Sequence, residues 1–367
     1  MKPPGKIKIS RQKLKALVND SAGSAAAIHL VYVSDTQPGI VRERKGETFV
    51  YKLDGKQLKA KQELERIHRL VIPPAWEQVW ICPLPNGHLQ VTGLDVRKRK
   101  QYKYHPLWNV LRNHTKFSHM YDLGKALPAI RERLEHDLTL PGLPAEKVLA
   151  AVVSIMEHTS LRVGNNMYEK LYGSFGLTTL KNRHVQINGH NVRFAFKGKK
   201  GVYQDVQLKS RRLARIVKQC RDIPGKELFQ YYDADGNTHA IDSGMVNSYI
   251  REISGGNFTA KDFRTWTGTL HALEAFREVG AADTVTAIKK NIVTVLDAVA
   301  GHLGNTRTVC RKYYVHPTIL DLYTNQLLHK LRVDFEEKNR QSDPSGLLPD
   351  EQLLMHILEK HSGALIL

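Results

Sequence analysis

The chain predicts an α+β architecture: a small N-terminal antiparallel β-sheet domain with one helix, then a larger, mainly α-helical domain containing a small three-stranded sheet. Three observations predict it. Short runs rich in Val, Ile and Tyr, bounded by Gly, Pro or Asn, crowd the first hundred residues. Beyond Pro106 the apolar spacing changes to that of amphipathic helices. At 367 residues the chain exceeds what one hydrophobic core ordinarily supports, so two domains are expected. The predicted divisions are a basic arm over residues 1–20, a β-rich domain over 21–106 and a mainly helical domain over 107–367.

The arm is Lys-rich, with little apolar periodicity beyond Leu14 and Leu17, and reads as a loose segment. Strands are expected at Ile28–Val33, Thr48–Leu53, Gln78–Cys82 and His88–Thr92. Between them Leu58, Leu64, Ile67 and Leu70 form a helical stripe that stops at Ile72-Pro73-Pro74, because proline cannot continue a helix. Helices follow near 107–117, 125–137, 145–158, 164–174, 208–220, 242–253, 260–279 and 283–302, with a last one from Pro349 to Lys360. Val185–Leu208 interrupts them. Its alternating residues and its turns at Asn188-Gly189 and Gly198–Gly201 describe three strands.

Charge points to the partner. Lys plus Arg number 55 against 36 acids, a surplus of +19, which is the electrostatic footprint of a polyanion binder. Residues 1–110 carry 20 basic and 9 acidic side chains, so +11 of that surplus lies in under a third of the chain. Nucleic acid is therefore the expected partner, with anionic lipid as the blander alternative. Three distant cysteines, Cys82, Cys220 and Cys310, form no CxxC pair and suggest neither a disulfide framework nor a zinc site, which fits a reducing cytoplasm. The longest apolar run, Val148–Met156, is too short to span a bilayer and reads as a buried helix. Ser21–Val33 lacks the length and flanks of a secretion signal. No phosphate-loop motif and no clustered metal-ligand set stands out, so neither nucleotide, metal nor other cofactor is expected.

Leu303–Pro317 places Tyr314 shortly after a Gly-Asn-Thr turn and beside Arg311 and Lys312. A phenol becomes a useful nucleophile when neighbouring cations lower its pKa, so Tyr314 is a candidate for phosphoryl transfer, against the plain reading of a packed ring. Arginine suits the charge that develops on phosphorus, because its planar fork donates two hydrogen bonds and stays charged. Arg162 lies at the junction of two predicted helices and Arg264 in the first turns of another. A surface ion pair is the plain reading of each. Lysine can act as an acid when burial and arginines lower its pKa, and Lys199 sits at a hairpin tip with Lys200 next to it. The run Arg97, Lys98, Arg99, Lys100, Gln101, Tyr102, Lys103, Tyr104 has strand alternation that puts both tyrosines on one face, as a phosphate-backbone contact would require.

These segments, taken in order, resemble the type IB DNA topoisomerases of the poxvirus and bacterial branch. The likeness runs through Ile72-Pro73-Pro74-Ala75-Trp76, Gly87-His88-Leu89-Gln90-Val91-Thr92-Gly93, Arg99–His105 and Leu161-Arg162-Val163-Gly164-Asn165. It continues through Gly176-Leu177-Thr178-Thr179-Leu180, Phe258–Trp266 and Leu303-Gly304-Asn305-Thr306 up to Tyr314, and covers roughly residues 25–320. The resemblance implies a DNA-binding N-terminal domain and a catalytic domain like that of tyrosine recombinases and these topoisomerases. It implies Tyr314 as nucleophile, Arg162 and Arg264 as phosphate clamps, Lys199 as the acid that expels the 5' hydroxyl, and Asn305 as a further transition-state contact. Poxvirus members carry histidine where Asn305 stands. Arg307 also departs from the family, whose members tend to have proline there. Tyr168 and Lys261 join residues 97–104 as expected DNA contacts. Supercoiled duplex DNA, a monomeric C-shaped clamp, no membrane and a cytoplasmic, nucleoid-associated location complete the expectation. A tyrosine site-specific recombinase and a non-catalytic architectural DNA-binding protein are the alternatives.

Overall fold

Alternation of apolar and charged side chains builds the first sheet, and a computed structural model describes it together with the rest of residues 8–9, 17, 20–338, 346–361 and 365–366. The chain divides into two units, the first holding residues 1–118 and 363–367 and the second 119–362. In the first, β1 (Lys8–Ile9) is followed by α1 (Ser21–Ala26), whose cap Asp20 accepts the Gly23 N–H at 2.8 Å. Then come β2 (Ile40–Lys45), β3 (Thr48–Leu53), β4 (Lys56–Gln57), α2 (Lys61–Arg69), β5 (Glu77–Ile81), β6 (Leu89–Leu94) and β7 (Lys100–Tyr104). They form one antiparallel sheet in the order β4-β3-β2-β5-β6-β7. Ile40, Tyr51, Val79, Ile81 and Val91 bury one face against Ile67 of α2. Arg42 explains the proline-rich turn after α2: it is buried and donates to the carbonyls of Ile72, Pro73 and Trp76, fixing that turn to the sheet.

Two expectations change here. Ile28–Val33 is no strand of the sheet. Its Val31 and Val33 N–H groups donate to the Asn86 carbonyl and to His88 Nδ1, so the segment is tied to a turn, with one isolated bridge between Val31 and Gly87. Ile40–Lys45, whose outward residues are charged, is a strand. Most of the arm lies outside the described residues; of it, Ile9 and Leu17 are buried with Ala25, Ile28, Leu30, Trp108 and Leu111.

The second unit is mainly helical. Helix α3 (Pro106–Asp137) begins among the residues of the first unit and continues into the second. The sequence reads it as two helices, yet Met120, Leu123, Leu127, Ile130 and Leu134 form one uninterrupted buried stripe that carries it through Pro128. Next come α4 (Ala145–Thr159), α5 (Asn166–Tyr172) and the three-stranded sheet β8 (Val185–Asn188), β9 (Asn191–Lys197) and β10 (Tyr203–Lys209), in the order β10-β9-β8. All of Val148–Met156 is buried in α4. Helix α6 (Arg211–Asp222) leads to a two-stranded ribbon of β11 (Gln230–Tyr232) and β12 (Thr238–Ala240). There follow α7 (Ser243–Ser254), α8 (Ala260–Val279), α9 (Val285–Leu303), α10 (Arg307–Tyr313), α11 (Pro317–Thr324), α12 (Leu328–Lys338) and α13 (Pro349–His361). The closing strand β13 (Leu365–Ile366) pairs antiparallel with β1.

Helix α13 is anchored by charge. Arg131 of α3 makes two hydrogen bonds to the buried Glu351, at 2.7 and 2.8 Å, and a third to Glu157 of α4 at 2.8 Å. Glu351 also accepts from Trp266 Nε1 at 3.1 Å and from the Leu348 N–H at 2.9 Å. Burial raises the Glu351 pKa, and Arg131 outweighs it, leaving the carboxyl below its ordinary value. All three cysteines are buried and free. No described helix is long and apolar enough to cross a membrane.

Candidate active site

The segment that ends α4 positions Arg162. Ser160 caps the helix in the left-handed conformation, and the chain then leaves helical structure through Arg162. Its main chain is fixed by Gly176-Leu177-Thr178: the Leu177 N–H donates to the Arg162 carbonyl at 2.8 Å and the Thr178 N–H to the Val163 carbonyl at 2.6 Å. The Arg162 guanidinium is thereby aimed at the turn after α9, where it donates to the Gly304 carbonyl at 3.2 Å and to Asn305 Oδ1 at 2.7 Å. Gly304 holds φ +57°, the left-handed cap that turns the chain toward Asn305, and the Gln204 side chain of β10 closes over its Cα.

Arg264 enters from α8, which opens on a capping box between Thr259 and Asp262. It is 5% exposed and is held by main-chain oxygens: one terminal nitrogen donates to the Ser160 carbonyl and the other to the Leu303 carbonyl at 2.9 Å. Its guanidinium carbon lies 5.4 Å from the centre of the Tyr314 ring. Burial first, and then the repulsion of Arg162, lowers the Arg264 pKa. Arg162 is lowered too, by burial. Among the described residues neither guanidinium meets a carboxylate.

Tyr314 follows the last residue of α10 and is seated on α8. Its N–H donates to the Cys310 carbonyl at 2.9 Å, and its carbonyl accepts from Thr269 Oγ1 at 3.1 Å. A methyl group on Gly268 would stand 2.9 Å from the Tyr314 carbonyl oxygen and 3.2 Å from its Cβ, so bare glycine permits the contact. Lys199 begins the tight turn between β9 and β10 and is exposed. Desolvation lowers its ammonium pKa first, followed by the charge of Arg162, with smaller contributions from Lys200 and Lys261, while Tyr314 acts in the opposite sense. The structure therefore brings Arg162, Arg264, Asn305 and Tyr314 together, with Lys199 near enough for its ammonium to feel the charges of Arg162 and Tyr314.

Two polar atoms in that cluster are buried without a partner, Arg264 Nε and Asn305 Nδ2. Both are donors. Beside two guanidiniums that meet no described carboxylate, these donors remain unsatisfied, and a phosphate has the charge and the oxygens to satisfy them.

The expected DNA contacts fall in both units. In the first, Lys100, Tyr102 and Tyr104 share a face of β7, with the tyrosines exposed and stacked at 6.0 Å and Lys100 Nζ 5.7 Å from the Tyr102 ring. The basic residues of this run are less free than the sequence implies: Lys98 pairs with Glu77, Arg99 with Asp95 at 2.6 Å and Lys100 with Asp35 at 2.6 Å. Gln101 also bonds Asp95, at 2.9 Å, while Arg97 is exposed and Lys103 half-buried. In the second unit Tyr168 on α5 and Lys261 at the start of α8 are exposed. Arg307 makes a two-pronged pair with Asp297 of α9, at 2.6 and 2.7 Å, and so braces α10. Sequence reasoning missed Ser160, Gln204, Gly268, Thr269 and His302, which support the cluster from segments far apart in the chain.

Comparison with known proteins gives the family. Residues 98–341 match the family "Eukaryotic DNA topoisomerase I, catalytic core", and residues 48–95 match "Bacterial DNA topoisomerase IB, N-terminal domain". DNA topoisomerase 1B of Acanthamoeba polyphaga mimivirus is 31% identical over 318 residues, which cover 84% of this chain and 93% of that protein. DNA topoisomerase 1B of Vaccinia virus (strain Copenhagen) is 24% identical over 252 residues, 67% of this chain and 76% of its own. With a family match across most of its length and a relative aligned nearly end to end, the chain belongs to the type IB DNA topoisomerases.

Proposed function

We propose that the protein relaxes supercoiled duplex DNA by cutting one strand through Tyr314 and resealing it, with neither ATP nor a metal ion. Tyr314 Oη attacks the phosphorus, the bond from phosphorus to the 5' oxygen breaks, and Lys199 protonates the departing oxygen while the phenol proton passes to solvent. The 3'-phosphotyrosyl link conserves the bond energy. The free 5' end swivels, and the same steps in reverse restore the strand. Arg162 and Arg264 bind the nonbridging oxygens as charge builds on them, and Asn305 Nδ2 supplies a neutral donor. Arg97–Tyr104, Tyr168 and Lys261 hold the flanking duplex, which a monomer engages.

The observation that carries this reading is the pair of buried donors without acceptors, Arg264 Nε and Asn305 Nδ2, beside a phenol. A tyrosine recombinase would use similar groups but needs a specific site and synapsis. Incubation of the protein with supercoiled plasmid bearing no special site, in EDTA and without ATP, separates the two. Relaxation is expected, and Tyr314→Phe abolishes both relaxation and the covalent adduct. Dependence on Mg2+ or ATP, or an active Tyr314→Phe variant, refutes the proposal.

A further inference from the structure

The cluster is assembled from two segments 142 positions apart, and besides the Arg162–Asn305 bond a second side-chain bond joins them: His302 Nε2 lies 3.2 Å from Ser160 Oγ. Each end of that bond touches the arginines through its own neighbours. Ser160 lies two residues before Arg162, and its carbonyl accepts from Arg264. His302 precedes Leu303, whose carbonyl accepts from Arg264, and Gly304 and Asn305, which accept from Arg162. A slip between these segments would move both guanidiniums together.

Two further features single out the pair. Ser160 is buried at 2% exposure and holds φ +55°, ψ 18°, a conformation that a non-glycine residue adopts at a cost and keeps only where its surroundings dictate it. Behind His302 stands His271 of α8, ring centres 3.7 Å apart, seven residues after Arg264 on the same helix and itself 2.8 Å from Glu274. The imidazole is thus gripped between the segment it ties and the helix that carries Arg264.

We propose that Ser160 and His302 are positioning residues for strand cleavage, locking the Arg162 segment to the Asn305 turn so that both guanidiniums meet the same phosphate. Neither touches the reacting atoms. The inference rests on the assignment of Arg162 and Arg264 as phosphate clamps.

Single-turnover cleavage of a short duplex by excess enzyme, measured beside equilibrium binding of that duplex, tests it. His302→Leu and Ser160→Ala are each expected to slow cleavage about tenfold to a hundredfold, the range for small misplacement of reacting groups, with binding unchanged. The double variant should be no slower than the worse single one, because each substitution removes the same bond. His302→Gln, which can still bond the serine hydroxyl, should recover most of the rate. Ser160→Gly relieves the backbone and lacks the hydroxyl, so it should be as slow as Ser160→Ala. Thermal melts identify any variant that fails to fold, and the glutamine and glycine variants then carry the test. Normal rates in the single variants, additive losses, a parallel fall in binding, or no recovery with glutamine overturns the inference. Arg264→Ala serves as the reference: if it cleaves normally, the clamp assignment itself is wrong, whereas a slow Arg264→Ala beside normal Ser160 and His302 variants refutes only the positioning pair.

Discussion

Lys199, the acid in the proposed reaction, has the role most sensitive to its surroundings, because an acid works only while it holds its proton. Its pKa is lowered by desolvation and by Arg162, so the limb of the pH profile that depends on this proton should fall below the range of an ordinary lysine, about 10.4. The sign follows from the role: cleavage is supported below that pKa and lost as pH rises through it. A pH series of single-turnover cleavage should show this limb in the wild type and its absence in a much slower Lys199→Ala, while Lys200→Gly retains both rate and limb. At this scale the sequence showed which chemical groups were available. Tyr314, Arg162, Arg264, Lys199 and Asn305 stood out by residue type and by family likeness. Ser160, Gln204 and Thr269 did not, since a serine, a glutamine and a threonine gain meaning only from partners that no spacing in the chain reveals. Arg307 stood out as an oddity, and its pairing with Asp297 is a matter of two helices meeting.

Among the elements, α8 does the most positioning. It carries Arg264 in its first turns and, one turn later, Gly268 and Thr269 beneath Tyr314. Gly268→Ala should push the tyrosine backbone away from α8 and slow cleavage about a hundredfold, since misplacement near 1 Å has that order of effect. The check is adduct formation by a variant whose circular dichroism is unchanged; a normal rate would show that the contact is slack. Elements with strong patterns were legible, among them Thr48–Leu53, the hairpin at Lys199 and the buried helix Val148–Met156. Ile28–Val33 misled because its residues suit a strand while its hydrogen bonds go to the turn at Asn86–His88. The gap expected over 118–124 within α3 misled, because Met120 and Leu123 there belong to the continuous buried stripe of Leu127, Ile130 and Leu134.

For the whole molecule, the passage from an antiparallel sheet to a mainly helical region with a small three-stranded sheet was legible from periodicity. The anchoring of α13 was not, because Glu351 pairs with Arg131 across 220 positions. Glu351→Ala leaves Trp266 Nε1 and the Leu348 N–H without that acceptor and removes one of the two carboxylates around Arg131. The expected cost is about 3–5 kcal/mol, as for other buried pairs broken on one side. Chemical denaturation would measure it, and a loss below about 1 kcal/mol would mean that α13 holds by apolar packing alone.

The three cysteines, each enclosed, have a practical consequence. Burial pushes the Cys220 thiol up to about 12 and the Cys310 thiol up to about 11, and raises Cys82 as well, so none offers an accessible thiolate at neutral pH. A single cysteine introduced on the outside of either unit would then be the preferred target for a maleimide dye, and the proposed swivelling of a cut strand could be followed by fluorescence on a chain that keeps its native sulfurs.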